Sequence, residues 1–257
     1  MAVTCGRVAG TAIIDDPNFR IDGAIELSAD EVHLWRIDLA AIAQGSERWR
    51  EVLSTDECAR ADRFRAARDR EFFTATRAVL RMIAGNYVGM PPATLEFFYS
   101  EKEKPHVDAD ATGGLEFNVS HSGSIAVLAF ARARAVGVDV ELLRDNFDHE
   151  GLARRFFSER EQQEISLLPA AERYAAFFRC WTRKEAYIKA QGVGLSMPLR
   201  DFDVSLRSGE ENALLDTRPD SSEAARWTLR DIAVPSGYVG ALCVRGTRWT
   251  LRSQPRT

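Results

Sequence analysis

The sequence lacks any long apolar segment. Its longest purely apolar run covers residues 125–131 and is seven residues long, whereas a helix that crosses a bilayer needs about 20. The first residues also lack the charged start, the apolar stretch and the small-residue cleavage site that are typical of a secretory leader. We therefore expect a cytoplasmic protein that does not associate with membranes.

Closely spaced cysteine pairs are absent as well. The four cysteines are scattered along the chain, at Cys5, Cys58, Cys180 and Cys243. Because zinc sites and thiol redox motifs use paired spacings, reduced structural thiols are the better interpretation. The net charge of −4 argues against a general nucleic-acid-binding protein.

Lysine is also rare in this chain. Of the 34 basic residues only four are lysines, and they fall in two short segments, as Lys102, Lys104, Lys184 and Lys189. A lysine offers a compact point charge and can lose its proton, whereas an arginine stays protonated. A site that needs an amine would keep its lysine despite such a bias, although chance clustering explains the pattern equally well.

The remaining sequence predicts a mixture of helices and short strands. Two capping-box patterns, Ser54 with Glu57 and Ser158 with Glu161, each predict a helix start. Longer helices are predicted over 69–87 and 174–190, where Gly192 ends the second. Strands are predicted over 33–38, 95–99, 117–119, 125–131, 136–142, 202–206, 227–232 and 238–244, with a polar connection at 120–123. This is an α+β pattern.

The chain divides most simply into two packed halves that meet near residue 134. The N-terminal half would comprise residues 1–134, with an irregular extension over 1–30, and the C-terminal half residues 135–257. The C-terminal half carries the candidate metal site described next.

Strand alternation in the segment 136–141 places three valines on one face and Asp139 and Glu141 on the other. Gly137 shares the acidic face and is expected to leave room there. Two carboxylates in this arrangement can converge on one cation. The alternative is a half-exposed strand whose polar face meets water.

A second acidic position lies in the helix predicted over 174–190. At 3.6 residues per turn, Glu185 falls on the apolar stripe formed by Tyr174, Phe178, Trp181 and Ile188. A buried carboxylate is costly unless it is paired or binds a metal. Lys189 follows one turn later, and a plain surface ion pair between the two is the alternative.

Three carboxylates without a nearby histidine in sequence favour a hard cation, magnesium in particular or manganese. Magnesium bound by carboxylates suits the transfer of a phosphoryl-type group. His121 lies in a Ser/Gly segment where backbone N–H groups could meet phosphate, although a lone histidine in a turn is more often structural.

Three segments together resemble the 4′-phosphopantetheinyl transferases of the surfactin-synthetase-activating (Sfp) type. They read FNVSHS at 117–122, VGVDVE at 136–141 and WTRKEAYIK at 181–189, and the resemblance runs from about residue 53 to residue 206. It implies a pseudo-twofold monomer of two similar α+β halves with coenzyme A in the cleft between them. One departure is Glu103, which replaces the glycine often found before Lys-Pro in the family.

The resemblance also implies a role for each matching residue. Asp139, Glu141 and Glu185 would hold magnesium on the pyrophosphate of coenzyme A, with Glu185 and Lys189 as the catalytic pair. The nucleotide end of coenzyme A would meet Lys189 and four further residues, namely Arg60, Lys104, Ser120 and His121.

The implied activity is transfer of the 4′-phosphopantetheine group of coenzyme A to a serine hydroxyl of an apo acyl- or peptidyl-carrier protein, with release of 3′,5′-ADP. Such an enzyme is a holo-carrier-protein synthase of fatty acid, polyketide or nonribosomal peptide biosynthesis. The alternatives are a non-catalytic module that binds coenzyme A and a metal-dependent phosphohydrolase.

Overall fold

The computed structural model of the chain describes residues 13–21, 23, 25–99, 105–144, 148–192 and 197–253. Within them, the strands are β1 (Glu31–Asp38), β2 (Phe98–Tyr99), β3 (Pro105–His106), β4 (Leu115–Ser122), β5 (Ile125–Arg132), β6 (Val136–Leu142), β7 (Phe202–Val204), β8 (Leu214–Thr217), β9 (Trp227–Asp231), β10 (Tyr238–Arg245) and β11 (Thr250–Ser253). The helices are α1 (Leu39–Ile42), α2 (Ser46–Arg50), α3 (Thr55–Asp62), α4 (Ala67–Val88), α5 (His149–Phe156), α6 (Glu159–Leu167) and α7 (Ala170–Gln191).

Two main sheets organise the molecule. The first has the order β11-β1-β5-β4, and the second has the order β6-β10-β9. All neighbouring strands in these sheets are antiparallel except β11, which runs parallel to β1. Two small ladders, β2-β3 and β7-β8, complete the pairing within the described residues.

The two sheets face each other across a shared apolar layer. Residues of β1 and β5 meet Val136, Val138 and Val140 of β6 there. The outer face of the first sheet packs against α4, and the outer face of the second packs against α7. The molecule therefore has four layers, in the order helix, sheet, sheet, helix.

The two halves repeat a helical pattern. A short helix that begins with a capping box, α3 in one half and α6 in the other, precedes a helix of 22 residues, α4 or α7. Each long helix ends at a glycine with positive φ, Gly89 at 69° and Gly192 at 72°, a conformation that glycine adopts without strain. The predicted α+β class with two similar halves is confirmed.

Several element boundaries differ from the sequence-based expectation. Strand β4 continues to Ser122, so the residues expected in a polar connection, Ser120 and His121, lie within a strand and pair with β5. Of the strand expected over 95–99, only Phe98 and Tyr99 are in a strand. The first difference arises because the polar residues of β4 conceal the strand pattern of that segment.

Short elements were missed, among them α5, β8 and β11. Strand β11 belongs to the first sheet although it follows β10 in sequence. The end of the described chain therefore returns from the second sheet to the first. The division into residues 1–134 and 135–257 stays a prediction. No helix among the described residues has the length and apolar character needed to cross a membrane.

Candidate active site

Asp139 lies in the middle of β6 and is buried, with 3% of its surface exposed. Its Oδ1 accepts hydrogen bonds from Ser120 Oγ at 2.7 Å and from Lys189 Nζ at 2.6 Å. Its Oδ2 is buried and has no hydrogen-bond partner among the described residues. A buried polar atom without a partner costs free energy, so this oxygen marks a position where a ligand or cation would be stabilised.

Glu141 follows two residues later on the same face of β6. Its Oε2 accepts a hydrogen bond from Ser122 Oγ at 2.8 Å. Burial, and then the negative charge of Asp139, raise the pKa of Glu141, while Ser122 and Lys189 act in the opposite direction. The pKa is raised because burial and a like charge both disfavour the ionised form.

Glu185 enters the same site from α7. Burial raises its pKa first, Asp139 and Glu141 raise it further, and Lys189 opposes them. Glu185 therefore lies close enough to Asp139 and Glu141 for their charges to act on it. The assignment of the three carboxylates as ligands of one cation stays a prediction.

Lys189 supplies the positive charge of this cluster. Its Nζ donates to Asp139 Oδ1 and to Ser120 Oγ, the latter at 2.9 Å. The side chain keeps 28% of its surface exposed, so the ammonium group lies between the buried aspartate and the solvent. The ammonium group of Lys189 in this position can contact an anionic ligand that enters from the solvent side.

His121 lies on β4 next to these groups, with an exposed side chain. Desolvation of the imidazole, and then the positive charge of Lys189, lower the pKa of His121, while the negative charge of Asp69 at the start of α4 opposes them. The expectation that His121 belongs to a loop with free backbone N–H groups is wrong, because His121 pairs with Ala126 in the β4-β5 ladder.

Two residues expected near the nucleotide lie apart from this cluster or outside the described chain. Arg60 is on α3, its guanidinium lies over the ring of Phe73, and it lines a cavity of about 460 Å³. The other residues that line this cavity are Asp56, Arg63, Phe64 and Tyr99. Lys104 lies outside the described residues.

Gly137 has a different role from the one expected. A Cβ atom at this position would lie 2.2 Å from the carbonyl oxygen of Ala186 and 2.3 Å from the backbone nitrogen of Ala190. The space beside Gly137 is thus filled by the backbone of α7 and is not open to a ligand. This close approach places Glu185 and Lys189 beside Asp139.

Lys184 is not part of the cluster. It is fully buried and pairs with Glu161 at 2.8 Å, and its Nζ also donates to the carbonyl oxygens of Leu199 and Phe202. The argument from lysine scarcity is therefore wrong for Lys184, whose amine serves a structural contact, and its assignment of Lys189 to the site stays a prediction.

The spacing of these side chains bears on metal binding. Among the described residues, no group of three or more histidine, cysteine, aspartate or glutamate side chains is placed so that it could hold a metal ion. The chemistry of the donors fits a hard cation, because the acidic groups here are carboxylates and one buried oxygen, Asp139 Oδ2, lacks a partner.

Sequence reasoning gave no role to two further residues at this site, Asn118 and Ser122. Asn118 Oδ1 accepts a hydrogen bond from the backbone of Val138 at 2.8 Å, and Ser122 contacts Glu141. The signal that could have revealed them is the i, i+2, i+4 spacing of Asn118, Ser120 and Ser122, which matches the acidic alternation of β6.

Comparisons with known proteins identify the family of the chain. Residues 135–243 match the family model described as the 4′-phosphopantetheinyl transferase superfamily. Residues 43–133 match a model described as the N-terminal part of 4′-phosphopantetheinyl transferase. The two matches meet at the connection between β5 and β6.

Individual relatives extend the match. The chain is 40% identical over 226 residues to the 4′-phosphopantetheinyl transferase HetI of Nostoc sp., covering 88% of this chain and 92% of that protein. It is 30% identical to a putative 4′-phosphopantetheinyl transferase of Synechocystis sp., covering 69% and 71% of the two chains. It is 28% identical to the transferase Sfp of Bacillus subtilis, covering 77% and 84%.

Proposed function

Because the chain belongs to the 4′-phosphopantetheinyl transferase superfamily and modifies carrier proteins, we propose that Asp139, Glu141, Glu185 and Lys189 form its catalytic centre. The donor is coenzyme A and the acceptor is a serine hydroxyl of an apo acyl- or peptidyl-carrier protein. The serine oxygen attacks the phosphorus on the pantetheine side, the bond from that phosphorus to the bridging oxygen breaks, and 3′,5′-ADP leaves with the electron pair.

The observation that carries this proposal is the buried oxygen without a partner, Asp139 Oδ2, with Glu141 on the same strand face and Glu185 within reach of the charges of both. We assign Asp139, Glu141 and Glu185 as the groups that would hold magnesium, or manganese in its place. A bound cation would neutralise charge on the pyrophosphate, which is the main requirement of phosphoryl-type transfer.

The protein's own residues supply proton transfer and positioning. Glu185 lies near Asp139 and Glu141, and its carboxylate would accept the serine proton, directly or through a water molecule. Lys189 lies between Asp139 and the solvent and would meet the phosphates or assist that proton transfer.

The nucleotide end of coenzyme A would extend from this cluster toward the N-terminal half. Ser120 and His121 of β4 lie beside Lys189 of α7 and would contact the phosphates. Arg60 and Lys104 would contact the 3′-phosphate. The cavity that Arg60 lines on α3 supports this assignment for Arg60.

A direct assay tests the activity. The protein is incubated with coenzyme A, magnesium and a panel of apo carriers from fatty acid, polyketide and nonribosomal peptide synthesis. We expect at least one carrier to gain the mass of one phosphopantetheine. No gain on any carrier, while a control transferase modifies them, would contradict the proposal.

A matched pair of variants tests the assigned residues. Asp139→Asn keeps the size of the side chain and removes its charge, so we expect a loss of about 100-fold or more in kcat/KM with an unchanged circular dichroism spectrum. Asp110→Asn, at an exposed turn, should match the wild type. Wild-type rates in Asp139→Asn would refute the assignment.

The same assay separates the alternatives. Binding of coenzyme A that is equal with and without magnesium, and no turnover, would indicate a non-catalytic module. Release of phosphate without a carrier would indicate a phosphohydrolase. A monomeric state, a cytoplasmic location and the absence of nucleic-acid binding stay predictions.

A further inference from the structure

Strand β4 carries a row of polar side chains that face β6. Asn118, Ser120 and Ser122 occupy alternate positions, and they contact Val138, Asp139 and Glu141 in the same order. The two strands belong to different sheets, so side chains make the contacts here that backbone groups make within a sheet. This row joins the two sheets where the candidate catalytic carboxylates lie.

The hydroxyl group of Ser122 has a defined orientation. The backbone N–H of Leu142 donates to Ser122 Oγ at 3.1 Å, and Ser122 is buried, with 5% of its surface exposed. A serine hydroxyl has one proton, and here the proton goes to Glu141 Oε2 at 2.8 Å. The contact therefore fixes one oxygen of Glu141.

The side chain of Glu141 can adopt other orientations. Glu141 shares one face of β6 with the like-charged Asp139, so that neighbour does not hold its carboxylate in place. Loss of the hydrogen bond from Ser122 would release Oε2 and let the Glu141 carboxylate rotate about its side-chain bonds. Ser122 opposes that rotation, since it holds Oε2 and is itself held by the backbone N–H of Leu142.

We infer that Ser122 is a positioning residue for the reaction: it holds the carboxylate of Glu141 beside Asp139 so that both can bind one divalent cation. This inference rests on the proposed function, in which Glu141 is a cation ligand. Ser122 itself touches neither the cation nor the substrates. It acts through Glu141, as groups that orient ligands commonly do.

Titration with manganese alone tests the inference, with the electron paramagnetic resonance signal of the free ion as the readout. Ser122→Ala should bind manganese about 10- to 100-fold more weakly than the wild type. Ser122→Thr keeps the hydroxyl group and should restore binding to within a few-fold. The transfer assay should show a higher magnesium requirement for Ser122→Ala and an unchanged KM for the carrier.

Two further variants guard against a general loss of folding. Ser124→Ala removes a hydroxyl two residues away that contacts Tyr238, and it should bind manganese as the wild type does. Ser122→Cys keeps a side-chain atom in place but donates only a weak hydrogen bond, so it should bind weakly even if Ser122→Ala does not fold.

The possible failures are distinguishable. Manganese binding by Ser122→Ala and Ser122→Cys that equals the wild type would overturn the inference and leave the proposed function intact. An equal loss in Ser124→Ala would also overturn it, because the effect would then be general. Failure of the wild type to bind manganese would overturn both.

Discussion

Asp139 is the residue on which the contacts of the site converge. One of its oxygens is held by Ser120 and Lys189, and the other is buried without a partner. Two more carboxylates, Glu141 and Glu185, add negative charge that the single ammonium group of Lys189 does not balance. The site therefore carries an electrostatic cost without a cation, and this cost should be measurable as a dependence of stability on pH.

We predict that, without divalent cations, the unfolding free energy falls as the pH rises through the raised pKa values of Glu141 and Glu185. A carboxyl group whose pKa is raised by folding binds more protons in the folded state. Its contribution to stability is complete below the ordinary carboxyl pKa and is lost as the pH rises through the folded-state pKa. Glu185→Gln removes one of these titrations, so it should become more stable than the wild type as the pH rises.

Thermal unfolding between about pH 5 and pH 8 checks this prediction. Glu150→Gln, on the exposed surface of α5, serves as the control and should differ from the wild type by a small constant amount. A constant difference between Glu185→Gln and the wild type across this range would show that the prediction is wrong.

The sequence reveals some site residues and conceals others for a physical reason. Glu185 stands out because it is a carboxylate on the apolar stripe of its helix, and Lys189 because it follows one turn later. Asp139 and Glu141 stand out because they alternate with valines in one short strand. Ser122 does not stand out, because a serine followed by glycine is typical of a turn. Its burial depends on a strand 20 residues later, which no local pattern contains.

Among the elements, α7 has the strongest influence on the site. Its backbone packs directly on Gly137 of β6, and its Lys184 forms a buried pair with Glu161 of α6. The N-terminal half has a similar pair, Arg81 with Glu57, where Arg81 also donates to two backbone carbonyl groups. In each half, a basic side chain on the long helix thus forms an ion pair with the glutamate of a capping box.

Replacement of Lys184 should therefore affect stability far more than a surface change. Lys184→Met leaves Glu161 and two carbonyl oxygens buried without their partner, and the loss of one member of a buried pair costs about 3–5 kcal/mol. Arg160→Met breaks an exposed pair with Glu164 and should cost less than about 0.5 kcal/mol. Denaturant unfolding measures both values, and similar values for the two variants would contradict the structural role of Lys184.

The two long helices could be predicted from the sequence, and several short elements could not. Helices α4 and α7 span 22 residues each, which is enough for their apolar periodicity and terminal glycines to be recognised. Strands β8 and β11 have four residues each, which is too few for alternation to differ from a loop. Their positions depend on pairing with distant strands.

At the scale of the whole molecule, the site lies where the two sheets meet. Strand β4 of the first sheet contributes Ser120 and His121, whereas β6 of the second contributes Asp139 and Glu141. Neither sheet holds the complete set, so the proposed catalytic centre requires both halves in their packed arrangement. A boundary near residue 134 agrees with the connection between β5 and β6, but β11 crosses it.

The return of β11 to the first sheet leads to a prediction about the end of the chain. A chain that ends after Trp249 lacks β11 and exposes the edge of β1. We expect hydrogen–deuterium exchange to become faster at residues 31–34, which pair with β11, while β10 and β6 keep their protection. The reason is that an amide without its pairing strand is exposed to solvent.

Full-length Arg252→Ala is the matched control for this truncation. It loses only the exposed ion pair of Arg252 with Glu31 and keeps the strand, so its exchange at residues 31–34 should stay close to that of the wild type. Faster exchange only at β9 and β10 in the truncated chain would instead indicate that β11 belongs to the C-terminal half, which would then be an independent unit. Unchanged exchange at residues 31–34 would show that β11 does not protect β1, and the first sheet would then end at β1 in solution.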